Sequence, residues 1–221
     1  MNPDRKYWNH QQQVLREALT RSKDHARAIE LFLNQHGMVH SSELAPAGSP
    51  SLEEPIWQGL TDAAARRIAP KGEHSIAWIF WHIARIEDVT MNLLLAGTPQ
   101  LILQEGWLER MKVTESDTGN AMDLARIARL SAAVNLAALR DYRLAVGRRP
   151  REIVLQLVPE QLKEKVQPKR LQQVLAEGAV EESAHGLIDY WGGLTLAGLL
   201  LMPPTRHNFI HLNEAMRLKT R

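Results

Sequence analysis

The chain has no cysteine in its 221 residues. That excludes disulfides, thiolate metal sites, iron–sulfur clusters and a cysteine nucleophile of the protein's own, and it fits a cytoplasmic protein. There is no long apolar run either. The most apolar window, Trp191 to Met202, is interrupted by Gly192, Gly193 and Gly198, and it falls well short of the roughly 20 residues a membrane span needs. A buried helix is expected there. No charge of one sign dominates, because 27 basic residues face 25 acidic ones for a net charge of +2. Neither nucleic acid nor an anionic membrane surface is therefore an expected partner. Residues Met1 to Lys6 lead into no apolar stretch, so no secretory signal is expected. What is present, 44% hydrophobic and 24% charged residues with 5% aromatic, is the composition of a soluble globular protein. The length suits a single domain over residues 1–221 with a core that needs no staples.

Sustained alternation of β-formers is missing, and helical periodicity recurs instead. Four long segments are expected. The first runs from about Asp4 to His40, with Leu15, Ala18, Ser22, His25, Ile29, Phe32 and His36 on its inner face. The second starts at a capping Ser75, carries Ile79, His82, Ile83, Ile86, Val89 and Leu93 inward, and stops at Gly97-Thr98-Pro99. The third spans about Asn120 to Val146 and ends at Gly147. The fourth covers Thr195 to Lys219, with a kink or restart at Pro203-Pro204, where two backbone donors are missing. Shorter helices are expected at Thr61–Ile68 (capped by Thr61), Thr98–Met111, Arg151–Leu157 and Lys169–Ala176, with Ser41–Pro55 as a loop. The basic stretch from Arg148 to Arg170 reads as a solvated connector. This pattern is all-α, a helical bundle with extra short helices in its connections.

Nine histidines are the informative residues. His82 lies on an apolar stripe between Trp78, Trp81 and Ile83. His207 and His211 are four apart and share one helix face. An HxxxH pair plus one histidine from another helix would make a three-imidazole face with open positions, which is what a catalytic metal site needs. The spacing alone leaves alternatives open. His36 and His40 form a second HxxxH, and Glu214 lies on the face of His207 and His211 as a rival ligand or as an acceptor behind them. Histidines held by hydrogen bonds in a core remain the plain reading.

The run Ser75-Ile76-Ala77-Trp78-Ile79-Phe80-Trp81-His82-Ile83-Ala84-Arg85-Ile86-Glu87-Asp88 resembles the second helix of the DinB/YfiT-like superfamily, in which one metal-binding histidine lies about two turns in. His82 takes that place. Gly59-Leu60-Thr61-Asp62 and Pro70-Lys71-Gly72 resemble that family's lead-in. Trp191-Gly192-Gly193-Leu194-Thr195-Leu196-Ala197 resembles the entry to its last helix, where His207 and His211 match the other two ligands. The resemblance implies a four-helix bundle in up-down-down-up order and a homodimer. It also implies a divalent metal, zinc or nickel, on His82, His207 and His211. The activities it implies are a thiol-dependent S-transferase, using a low-molecular-weight thiol cosubstrate, or a metal-dependent hydrolase. Pro203-Pro204 departs from the family's unbroken last helix.

The expectation is thus a metal-dependent enzyme acting on a small molecule, with a non-catalytic metal-binding or structural helical dimer as the alternative. Candidates for further roles at the site are Arg85, either facing the cavity of His82 or paired on the surface with Glu87 or Asp88, and Glu214. His25 and His36 are candidates for acid–base or supporting groups. A thiol nucleophile, if one is used, has to come from a cosubstrate because the chain has none.

Overall fold

The structure, a computed structural model, describes residues 5–21, 24–45, 49–69 and 74–220. Ser22 of the first stripe and the Pro70-Lys71-Gly72 lead-in lie outside the described residues. Regular structure among the described residues is helical, and extended backbone pairs only at an isolated bridge between Lys165 and Thr195. In order, the α-helices are α1 (Arg5–Thr20), α2 (His25–Met38), α3 (Glu54–Trp57), α4 (Asp62–Arg66), α5 (Ile76–Asp88), α6 (Trp107–Met111), α7 (Leu124–Ala133), α8 (Leu136–Val154), α9 (Pro168–Ala176), α10 (Gly186–Gly193), α11 (Leu196–Leu201) and α12 (Asn208–Lys219). Two π-helical stretches extend this set, Val89–Ala96 after α5 and Met202–His207 between α11 and α12.

Apolar residues crowd every side of α5, so no face of it can be left in water. The chain buries all of it. Ser75 caps its start, accepting from the Trp78 amide at 2.9 Å. The π stretch ends at Gly97, whose φ of 73° is the left-handed conformation glycine tolerates. Arg170 closes that end by donating to the carbonyls of Leu94 and Leu95. Helices α8 and α12 pack on α5, while α1 packs on α2 and α11.

The interior has two apolar clusters. One holds Trp81, Ile83, Tyr142 and Leu212, and the other Phe32, Leu94, Trp191 and Leu199. Helix α5 feeds the first cluster through Ala84 and the second from Ile86 onward. Burying a side chain such as Ile79 or Ile83 is worth about 1.5–3 kcal/mol. At the junction α5 also carries Arg85, Glu87 and Asp88 into the interior. An unpaired ion there costs several kcal/mol, so each must be partnered.

Three expected helices are broken differently. The first segment is two helices, because Thr20, Arg21 and Asp24 make local hydrogen bonds that end one and precede the next. The third is also two. The Asn135 side chain accepts from the amides of Ala137 and Ala138 and starts α8 afresh. Helix α8 then runs through Gly147 to Val154, absorbing the expected Arg151–Leu157 helix. Gly147 is no stop. A Cβ there would lie 2.5 Å from His40 Nδ1, so the glycine allows a close approach. The Trp191–Met202 window is not one helix either. It splits at Leu194, and Thr195 caps α11 by accepting from Gly198 at 3.2 Å.

Pro203-Pro204 does interrupt the last segment, as a π-helical turn rather than a gap. The Thr205 hydroxyl donates to Leu200 and Leu201 carbonyls at 3.1 and 2.9 Å, standing in for amide donors that proline lacks. The chain therefore keeps its direction into α12, and His207 closes the π turn instead of sitting in the first turn of a new helix. Among the described residues no helix is long and apolar enough to cross a membrane.

Candidate metal centre

His82 projects from the middle of α5, His207 from the end of the π turn, and His211 from the first turn of α12. Their rings meet edge to face, with centroids 5.0 Å apart for His82–His207 and His82–His211 and 4.6 Å apart for His207–His211. One nitrogen from each lies within 4.8 Å of the others. His82 Nε2 lies 3.2 Å from His207 Nε2. Two imidazoles on one tetrahedral ion at about 2.0–2.1 Å would hold their nitrogens about 3.3 Å apart.

Proton positions favour the same geometry. The Thr118 carbonyl, 2.6 Å from His82 Nδ1, can only accept, so Nδ1 carries the proton and Nε2 keeps its lone pair. Glu214 does the same for His211, with Nδ1 donating to its Oε2 at 3.0 Å. Metal-binding histidines are commonly oriented in this way by a carbonyl or carboxylate on the other nitrogen. Burial first, then the neighbouring imidazole charges, holds the His82 ring down at about 3. Burial, followed by His82 and His211, pushes His207 well below the usual imidazole range. Both rings are therefore neutral at neutral pH, the state a metal requires. His207 Nδ1 is buried and has no hydrogen-bond partner. The donor set thus fits a divalent ion.

The three rings open onto a pocket of about 520 Å³, lined also by Trp78, Met122, Leu124 and Ile127. Trp78 lies flat against His82, with centroids 4.6 Å apart, and against His74 on its other side, at 4.0 Å. His74 donates from Nδ1 to Glu214 Oε1 at 2.8 Å, so one carboxylate serves both His74 and His211. Burial raises the Glu214 pKa, but hydrogen bonds from His211 and His74 outweigh it and hold the carboxyl at about 2. Both Glu214 oxygens are committed to imidazoles, which makes it an acceptor behind a possible ligand. The loop that delivers Thr118 turns at Gly119. A Cβ on this residue (φ 80°) would lie 2.7 Å from the Trp81 ring. Asp117 ties that loop down, accepting from Gly119 N at 2.6 Å and from Arg126 at 2.9 Å.

Arg85 is paired with Asp88, one of the partners expected for it, but in the interior rather than on the surface. It is fully buried, does not line the pocket, and binds Asp88 at 2.8 Å, Tyr142 at 2.9 Å, the Ser116 carbonyl at 2.7 Å and the Gln100 side chain. Burial of α5 on all sides turned a residue one turn from His82 into an interior ion pair. His25 is also away from the pocket, its Nε2 2.9 Å from the Leu157 carbonyl.

His36 and His40 form a second set with Glu87, which is buried rather than a surface partner of Arg85. Glu87 accepts from His36 Nε2 at 2.8 Å, His40 Nε2 at 3.0 Å, Arg143 Nη1 at 2.9 Å and Asn208 Nδ2 at 2.7 Å. All five residues are buried. Burial keeps both imidazoles neutral, with His36 lowered and His40 well lowered. Burial also works against charge on Glu87, but the His40 and His36 contacts keep it ionised, well below the usual carboxylate range. These residues have ligand chemistry, yet their ligand atoms are already spent on one another. An ion here would have to displace two N–H donors beside the Arg143 guanidinium.

Residues 51–188 match the family model described as the DinB superfamily. The chain belongs to the DinB superfamily. The match takes in His82 and stops short of His207 and His211, so the grouping of those two with His82 rests on the geometry above. No curated protein matches the chain. Membership agrees with the all-helical architecture and with a cluster of metal-ligand side chains in a DinB-like fold.

Proposed function

We propose that this DinB-superfamily chain is a divalent-metal-dependent enzyme in which His82, His207 and His211 hold one zinc or nickel ion. The observation that carries the reading is the convergence of three imidazoles, two with their lone-pair nitrogens fixed by Thr118 and Glu214, on the floor of an open pocket. A divalent ion bound there would supply Lewis acidity, favouring a deprotonated water or thiol at neutral pH. The chain's own contribution is to hold three rings at the right separation and to keep the Nδ1 protons of His82 and His211 away from the ligand side. Trp78, Met122, Leu124 and Ile127 furnish an apolar wall for a small-molecule substrate. Reaction types consistent with this site are thiol-dependent S-transfer, with a low-molecular-weight thiol as cosubstrate, and hydrolysis.

A pocket in front of the rings favours catalysis over a purely structural ion, whose coordination sphere is closed by protein ligands. Elemental analysis of untagged protein purified without chelators tests the reading. About one ion per chain is expected, and S-transfer and hydrolase assays with that ion follow. A ratio near zero after incubation with zinc and nickel overturns it.

A further inference from the structure

Of the three rings in the pocket, one lacks the support the other two have. Thr118 holds His82 and Glu214 holds His211, but the buried Nδ1 of His207 has no acceptor. With no acceptor behind the ring, its position depends on its backbone and on the two rings beside it. That backbone is the π turn Met202–His207, the weakest part of the last helix because Pro203 and Pro204 donate no hydrogen bonds.

The next residue, Asn208, is held from two sides. Its Nδ2 donates to Glu87 Oε2 at 2.7 Å, across to α5, and to the Pro204 carbonyl at 3.1 Å, back along the turn. Thr205 secures the turn's other side, accepting from Gln12 Nε2 at 3.0 Å while donating to Leu200 and Leu201. Glu87 is in turn immobilised by His36, His40 and Arg143. Helix α5 thus carries both His82 and, five residues on, the anchor for the segment bearing His207.

Resting on the metal-site reading above, we propose that Asn208, clamped by the buried Glu87 carboxylate, is the positioning residue for His207, so that the second histidine cluster sets the geometry of the first. The role is geometric rather than electrostatic. At His207 the Arg143 charge opposes the Glu87 charge.

The test compares wild type, Asn208→Ala, Thr205→Val and Glu53→Gln. Zinc affinity is measured by competition with a chromophoric chelator, and coordination geometry from the absorption bands of the cobalt(II)-loaded protein. Glu53 contacts the same network through Arg143 at 3.4 Å but not Asn208. Asn208→Ala should weaken zinc binding by about 10–100-fold and shift the cobalt bands. Thr205→Val should move both in the same direction by less, and it carries the test if Asn208→Ala fails to fold. Glu53→Gln should leave affinity and bands at wild type, whatever it does to the melting temperature. Wild-type affinity and bands in folded Asn208→Ala, or equal losses in Glu53→Gln, would overturn the clamp alone. A wild-type chain that takes up neither ion overturns the metal reading beneath it as well.

Discussion

The two histidine clusters are built from nearly the same parts, and they do opposite things with them. Each contains an HxxxH pair and a residue of α5, His82 in one and Glu87 in the other. In the pocket cluster the hydrogen-bond acceptors sit behind the rings, on Nδ1, and leave Nε2 facing inward. In the interior cluster the acceptor sits in front, between the rings. Glu87 takes both Nε2 protons and leaves the two Nδ1 atoms bare. Ligand-type residues at ligand spacing are therefore insufficient. Where the carboxylate stands relative to the rings decides whether the set can receive a cation or has already satisfied itself.

The largest effect expected from this contrast is on stability. Glu87→Ala leaves the Arg143 guanidinium buried without its close partner and should cost about 3–5 kcal/mol, whereas Glu214→Ala, at a carboxylate that is 27% exposed, should cost less. Denaturant melts of the metal-free proteins read both. Equal losses would erase the distinction.

Next comes metal uptake. His82→Ala should reduce affinity by more than about 100-fold, beyond the effect of losing a supporting group. His36→Ala should keep wild-type uptake while melting earlier, and His10→Ala, on an exposed face of α1, should change neither. Metal content and melting curves measured side by side decide it, and loss of metal in His36→Ala would make the interior cluster a site in its own right. A milder change, Glu214→Gln, should lower affinity by about 10–100-fold, since His211 loses its charged acceptor. Unchanged zinc competition in that variant would remove Glu214 from the site's support.

The smallest effect is the pH dependence. His36 and His40 have folded pKa values below their ordinary 6.5. Below that value the unfolded chain binds more protons than the folded one, so stability should decline as pH falls from about 6.5. The charged groups around them are Glu87, Arg143 and Arg151. Glu214, lowered from 4.5 to about 2, contributes in the same direction only further down, as pH falls from about 4.5 toward 2. Melts of metal-free protein at a series of pH values give the slope, and a flat profile between about pH 7 and 5 would mean that the interior imidazoles take up protons in the folded chain as they do in the unfolded one.

Much of the site's address was legible locally. Ser75 as a cap, Gly97 as a stop and the His82 position on an inward face are statements about one helix, and each follows from neighbours within a turn or two. The same holds for Thr61 capping α4, which accepts from Ala64 at 3.2 Å. Arg85 shows where this kind of reasoning fails. Periodicity tells an inner face from an outer one, but α5 has no outer face, so it could not say whether Arg85 met a cavity, a surface or an ion pair. The breaks at Asn135 and near Asp24 were missed because apolar spacing continues across them, while the Asn135 side chain starts a new helix and local hydrogen bonds of Thr20, Arg21 and Asp24 interrupt the other. Thr118, Gly119 and His74 carried no signal, since a backbone carbonyl, a close approach and a stacked ring are recognised only against their partners.

What the sequence determined by itself is the helical class, the residue types available for a metal and the absence of any thiol in the chain, because these depend on composition and short-range spacing. Which histidines face a pocket and which face a carboxylate was decided by the tertiary structure. Glu87 meets partners 47 to 121 residues away, and hydrogen bonds across such separations exist only once the helices have packed.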